Sequence, residues 1–279
     1  MKYKIVSDSS SDVFSLDCVE YTTVPLKIIT DEKQFIDTPD LDVSEMIDYL
    51  KKYKGTSKSS CPNMDEWYSA FGDADAVFCI PITKNLSGSH NSAVLAVNDF
   101  LEEHPEKKAY VIDTLTTGPE CELIIEKLCE LIESGLSFDE IKDEICKYRQ
   151  STHLHFCLES LRNFANNGRV SHTTAKMAGI LGIRVIGQAS LEGTLEIQTK
   201  VRGGDKAIDE IYERMKANGY CGGKVSIHHC QNPEGAEKLA SIIRNDHSEA
   251  SVKIGKTGAL CSFYAESGGL LIGYEGAEK

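Results

Sequence analysis

A chain of 279 residues with 41% hydrophobic and 26% charged side chains has the balance of a folded globular protein, which excludes a low-complexity or disordered reading. The formal net charge of −13 repels nucleic-acid phosphates and anionic membrane, and no Lys/Arg run is dense enough to reverse it locally. The length fits one large α/β domain or two smaller ones, and the pattern along the chain favours two, residues 1–150 and 151–279.

The first half alternates short β-rich runs with helical patterns. Strands are expected over Tyr3 to Val6, Thr22 to Ile29, Ala76 to Ile80 and Ala109 to Ile112. Helices are expected over Ser44 to Tyr53, Asp65 to Phe71, Ser89 to Glu103, Glu120 to Glu133 and Ser137 to Arg149. Capping boxes support three starts, Asp42 with Glu45, Asn63 with Glu66, and Ser137 with Glu140. This rhythm is that of a mainly parallel sheet with helices on both faces.

After Gln150-Ser151-Thr152 the pattern is more mixed. Strands are expected over Leu154 to Cys157, Ile183 to Ile186, Lys224 to His228, Ser251 to Ile254 and Leu270 to Tyr274, with a hairpin-like pair across Glu192-Gly193. Helices are expected over Ser160 to Asn166, from Thr173 into Leu181, over Asp205 to Ala217 and over Pro233 to Arg244. The fold class is therefore two α/β domains, the second a mixed sheet with helices. No stretch reaches the ~18–20 apolar residues of a membrane span, and Met1 to Ser7 lacks the apolar core of a secretory signal, so a cytoplasmic protein is expected. None of the ten cysteines forms Cys-x-x-Cys, and they read as reduced, mostly buried small hydrophobes.

Two serine-rich turns carry the functional signal, Ser59-Ser60-Cys61-Pro62-Asn63 and Leu86-Ser87-Gly88-Ser89-His90, each at an expected helix start. Unpaired N–H groups there, with added hydroxyls, suit a carboxylate or phosphate. Taken singly, each serine reads as an N-cap. In a parallel sheet, however, the turns after the strands gather at one edge, where ligands bind. A third run, Ser7-Asp8-Ser9-Ser10-Ser11-Asp12, follows the first strand.

Other motifs are weaker. Arg169, after the turn glycine of Asn167-Gly168, is either solvated or an anion-facing guanidinium, and Arg202 is either solvated or a contact for a partner protein. Ala250 to Thr257 misses the first glycine of a phosphate-binding loop and reads as a strand end; neither G-x-G nor G-x-S-x-G occurs. His153 with His155, or His228 with His229, lacks a third ligand at supporting spacing, so no metal and no cofactor is expected. Asp8, Asp12 and Asp113 read as turn caps or partners of the serine loops rather than as Mg²⁺ ligands.

In order and spacing these motifs resemble the DegV family of bacterial fatty-acid-binding proteins along essentially the whole chain. The resemblance rests on Ile5 to Asp12, Val24-Pro25-Leu26 with Asp37 downstream, Ser59 to Asn63, Leu86 to Ser89, Val111 to Thr114, Gly168 to Ser171 and Val201 to Gly203. It implies a fatty acid as ligand, its carboxylate held between two domains and its chain buried mainly in the second. It further implies that Ser59, with Ser60 as a possible substitute, and Ser87 donate to the carboxylate. Arg169 would lie near the head group and Arg202 would face a partner fatty acid kinase, the chain itself being an accessory lipid-binding subunit and not an enzyme. The family's terminal histidine is absent, since the last histidine is His247; in the register over Phe263 to Gly268 Tyr264 would take its place with Glu266 close by, and a second register runs over Thr257 to Leu260. The apolar wall is expected from Met177, Ile180, Leu181, Ile183, Val185 and Ile186, residues that serve equally as plain core. The alternative from another class is a phosphoryl-transfer or small-anion enzyme that uses the serine loops with Asp8 or Asp113 and a metal.

Overall fold

The first-half strands fall into two sheets in a computed structural model of the chain, which describes residues 1–176 and 182–279. In chain order the first-half elements are β1 (Tyr3–Asp8), β2 (Glu20–Val24), β3 (Lys27–Ile29), β4 (Gln34–Ile36), α1 (Val43–Lys52), β5 (Lys58–Ser60), α2 (Met64–Phe71), β6 (Ala76–Ile80), α3 (Ser89–Glu103), β7 (Lys108–Val111), α4 (Pro119–Glu133) and α5 (Phe138–Tyr148). Strands β2-β1-β6-β7 form an all-parallel four-stranded sheet. Side-chain alternation decides its two faces. Ile5, Phe78 and Ile80 pack against Ile124 and Leu128 of α4 and Ile141 and Ile145 of α5, whereas Val6, Val77 and Cys79 pack against Trp67 and Phe71 of α2 and Ala93 and Phe100 of α3. Burying each large side chain contributes about 1.5–3 kcal/mol.

The expected strand Thr22 to Ile29 is broken. Pro25 has no N–H to give to a ladder, and the next amide, Leu26, donates to Ser9 Oγ at 2.9 Å instead. The chain therefore leaves the parallel sheet, and β3 becomes the centre of a second sheet ordered β4-β3-β5. This small sheet carries Ser59, which lies opposite Ile28. Of the capping boxes, those at Asn63 and Ser137 are complete; at Asp42 the carboxylate accepts from Glu45 N and no reciprocal bond is made.

The second half comprises β8 (Thr152–Leu158), α6 (Arg162–Asn166), α7 (His172–Lys176), β9 (Ile183–Ala189), β10 (Leu195–Arg202), α8 (Gly204–Ala217), β11 (Val225–His229), α9 (Pro233–Asp246), β12 (Val252–Lys256), α10 (Ala259–Ala265) and β13 (Leu270–Glu275). Its six-stranded mixed sheet has the order β10-β9-β8-β13-β11-β12, antiparallel except for the parallel β11–β12 pair. The halves share a core in which Leu26, Ile28 and Met46 meet Phe156, Leu260, Phe263 and Leu271.

Two expectations need correction. Helix α10 was not anticipated: Ala259, Leu260, Cys261, Ser262, Phe263 and Ala265 are all buried, so no polar face marks a helical period. Nor are all ten cysteines free. Cys18 and Cys129 form a disulfide with Cα atoms 5.9 Å apart, and the other eight are free. The pair lies 111 residues apart in sequence, a contact that local spacing does not encode.

Candidate functional site

A cavity lined by residues of both halves lies between them. On one side are the loops that follow the parallel strands: Ile82, Thr83, Leu86 and Ser87 after β6, and Leu115, Thr116 and Thr117 after β7. This is the carboxyl edge of the sheet, where connecting loops leave a crevice. The remaining walls come mostly from the second half, with Leu154, Phe156 and Leu158 from β8, Leu271 from β13, Leu195 from β10 and Leu260 and Ala265 from α10. Ile183, Val185 and Ile186 do not line it; Val185 and Ile186 are fully buried core residues. Met177, Ile180 and Leu181 lie outside the described residues.

Four of the expected site residues, Ser59, Ser87, Arg169 and Tyr264, line this one cavity. Ser59 Oγ is 2.7 Å from the Tyr264 hydroxyl, and whichever donates, the other O–H proton is left for an anion. Ser87 Oγ accepts from Ser89 N at 3.3 Å, which likewise leaves its proton to donate. Arg169 is fixed by its Nε donating to Leu86 O at 3.1 Å and its Nη1 to Asn167 O at 2.6 Å, so a second-half guanidinium grips the first-half serine turn. Burial raises the Tyr264 pKa, against the opposing pull of the Ser59 hydrogen bond and the Arg169 charge, so the phenol is neutral at neutral pH. The polar end is thus a set of hydroxyl donors beside one permanent cation.

Other residues stand elsewhere. Ser60 is absent from the lining, its Oγ pointing to Cys61 O at 3.4 Å. Arg202 is exposed at the end of β10. Glu266, expected near the head group, pairs with Arg162 at 3.4 Å and does not line the cavity. The third serine run is internal scaffolding: Asp8 is fully buried and accepts from Ser10 N, Ser89 Oγ and Ile82 N at 3.2, 2.6 and 3.0 Å. Asp113 pairs with Lys84 at 2.9 Å. His153 Nε2 donates to Ala277 O over 2.8 Å and stacks on Tyr274, and burial lowers His155 to about 3. Among the described residues no group of three or more His, Cys, Asp or Glu is placed to hold a metal ion.

Sequence reasoning missed the seam that aligns the two sides. Asn167 accepts from Ser59 N at 3.3 Å and donates to Ser57 O at 3.3 Å. The β9–β10 hairpin tip presses on the β6 and β7 loops, with Asn85 Nδ2 donating to Glu192 O at 2.6 Å. Gly193 sits there at φ +74°, where a Cβ would come within 2.2 Å of Thr83 Oγ1, so only glycine fits. Deeper in the seam His228 bridges two first-half carboxylates, Asp12 at 3.0 Å and Glu122 at 2.9 Å. Burial opposes its charge, yet these hydrogen bonds raise His228 to about 9, while His228 and Lys253 outweigh burial to hold Glu122 at about 2. A histidine beside acidic turn residues was visible in the sequence only as a metal candidate.

The whole chain matches known proteins. The DegV family model covers residues 2–275. The chain belongs to the DegV family. A DegV domain-containing protein of Streptococcus pneumoniae is 41% identical over 279 residues, 99% of each chain, and one from Streptococcus pyogenes is 42% identical over 99% of this chain and 100% of its own. Among solved structures, a DegV family protein from Eubacterium eligens loaded with heptadecanoic acid aligns with a TM-score of 0.96 at 43% identity, covering 99% of this chain and 100% of that one. The Streptococcus pneumoniae fatty acid kinase (Fak) B3 protein, loaded with linoleic acid, aligns with a TM-score of 0.97 at 40% identity over 99% and 100% of the two chains. The DegV fold accounts for the pairing of a parallel sheet with a mixed one, and the likeness runs through both halves.

Proposed function

We propose that this DegV protein binds a long-chain fatty acid in the cavity between residues 1–150 and 151–279, taken as two domains, and presents its carboxylate to a separate ATP-using kinase. The observation that carries the reading is the joining, in one cavity, of a long apolar wall to a hydroxyl-and-guanidinium end made by Ser59, Ser87, Tyr264 and Arg169. Burying a dozen methylenes at ~0.8 kcal/mol each gives on the order of 10 kcal/mol of gross affinity, from which ordering and association costs are subtracted. The hydroxyls then fix the position of the head. Relatives crystallised with heptadecanoic and linoleic acids support the same ligand class.

No catalytic role is assigned to the chain. The chemistry is left to the partner, for which the exposed Arg202 is the proposed contact and Arg169 the group nearest a phosphorylated head. This reading needs no cofactor and places the protein in the cytoplasm, where an acyl-phosphate-forming kinase has its ATP.

The test is extraction and mass spectrometry of what co-purifies with the protein, followed by incubation of the loaded protein with ATP and a fatty acid kinase. Long-chain acid in the extract and acyl phosphate after incubation are expected. A non-lipid or small-anion occupant would overturn the reading, and binding without acyl phosphate would remove only the delivery step.

A further inference from the structure

Helix α10 brings Tyr264 to the cavity, and its own amino end is capped from the other half of the molecule. Its N-cap is Gly258, which has no side chain with which to cap. The amides of Ala259 and Leu260, which have no acceptor inside the helix, donate instead to the Asp37 carboxylate at 2.7 and 3.0 Å. Gly258 N donates to Asp12 Oδ1 at 2.8 Å. The fit is tight: a Cβ on Gly258 would lie 3.0 Å from Asp12 Oδ1 and 3.1 Å from Asp37 Oδ1.

Asp37 is itself held. It is 2% exposed, follows β4 directly, and its amide donates to Leu26 O at 2.9 Å. Strand β4 pairs with β3, and β3 pairs with β5, so the sheet that ends in Asp37 is the sheet that carries Ser59. One small body therefore grips α10 at two points, by Asp37 at its first turn and by Ser59 at Tyr264. Fewer than two helical turns separate these points, so a shift at the first turn is carried directly to the tyrosine hydroxyl.

We propose that Asp37 is a positioning residue for the head-group end: with Asp12 it fixes the amino end of α10 and so sets the Tyr264 hydroxyl against Ser59. This rests on the fatty-acid reading. It adds to that reading a residue that touches no ligand and acts through the helix.

The test uses delipidated full-length protein and two probes of equal chain length, hexadecanoic acid and the headless hydrocarbon hexadecane. The proteins are wild type, Asp37→Asn, Tyr264→Phe and the double variant. Asp37→Asn is expected to weaken the acid roughly tenfold while hexadecane uptake is unchanged, and the double variant is expected to be no weaker than the weaker single one, as for residues acting through one contact. Equal loss for both probes, additive losses in the double variant, or unchanged acid affinity would overturn the positioning role. Should Asp37→Asn not fold, Gly258→Ala pushes the helix off both carboxylates without removing charge, and the same acid-selective loss is expected; wild-type affinity there would overturn the proposal. A wild type that takes up hexadecane but no hexadecanoic acid would overturn the carboxylate site and this inference with it, whereas one that binds acid while the variants match it overturns the inference alone.

Discussion

The apolar walls of the cavity and its polar end are built by opposite means. Leu154, Phe156, Leu158 and Leu271 project from β8 and β13, adjacent strands in the middle of one six-stranded sheet. Ser59, Ser87, Arg169 and Tyr264 come from a three-residue edge strand, two loops and a seven-residue helix, drawn from both halves. A sheet supplies volume, tolerates small adjustments, and sets gross affinity through area. Hydroxyl donors act only within hydrogen-bond reach, so the polar end depends on seam contacts such as Asn167, Arg169 and Asp37 that hold short elements in register.

If the walls dominate affinity, chain length has the largest effect. From decanoic to hexadecanoic acid the dissociation constant should fall roughly 3,000-fold, at ~0.8 kcal/mol per methylene, as measured by calorimetry on delipidated protein. A flat series would break the contrast between walls and polar end.

The seam comes next. His228→Ala leaves Asp12 and Glu122 facing a void, at a cost of about 3–5 kcal/mol, and the loss should appear in denaturant unfolding. The pH dependence has a definite sign. His228 is raised from 6.5 to about 9, so its contribution is complete below pH 6.5 and lost as pH rises through about 9. Asp37 is raised from 3.8 to about 7, mainly by burial, so its contribution is present below 3.8 and lost as pH rises through about 7. Glu122 acts oppositely, stabilising above 4.5 and failing as pH falls through about 2. Melting temperature should therefore decline between pH 6.5 and 9, and His228→Ala should flatten that decline.

The polar end gives smaller changes. Ser59→Ala with Ser87→Ala should weaken hexadecanoic acid roughly 100-fold, the lower end of what two hydrogen bonds to a charged group contribute, and leave hexadecane uptake unchanged. Tyr264→Phe, which removes one neutral donor, should cost about tenfold or less. If it costs more than the serine pair, the tyrosine and not the serine cradle is the principal anchor.

Much of this was legible in the sequence. Strand β6 and helix α3 occur at the expected residues because alternation and helical period were strong there, and Asn63 and Ser137 marked helix starts through their own side chains. The serine turns could be named from their residue types and spacing, whereas Arg169 and Tyr264 were reached as site residues only through the family resemblance. The break at Pro25 was also written in the chain, although the run of β-formers around it concealed it.

What the sequence by itself determined is the local grammar: two patterns of strands and helices, apolar runs long enough for two sheets, and hydroxyls at helix starts. Only the tertiary structure decided which hydroxyls face the cavity, placing Ser59 and Ser87 there, turning Ser60 aside and committing Ser89 to Asp8. It also decided that α10 is a helix, that its cap is Asp37, and that His228 joins Asp12 to Glu122. The α10 cap and the His228 bridge join groups more than a hundred residues apart, and a buried polar group finds its partner in space, wherever burial leaves it unsatisfied.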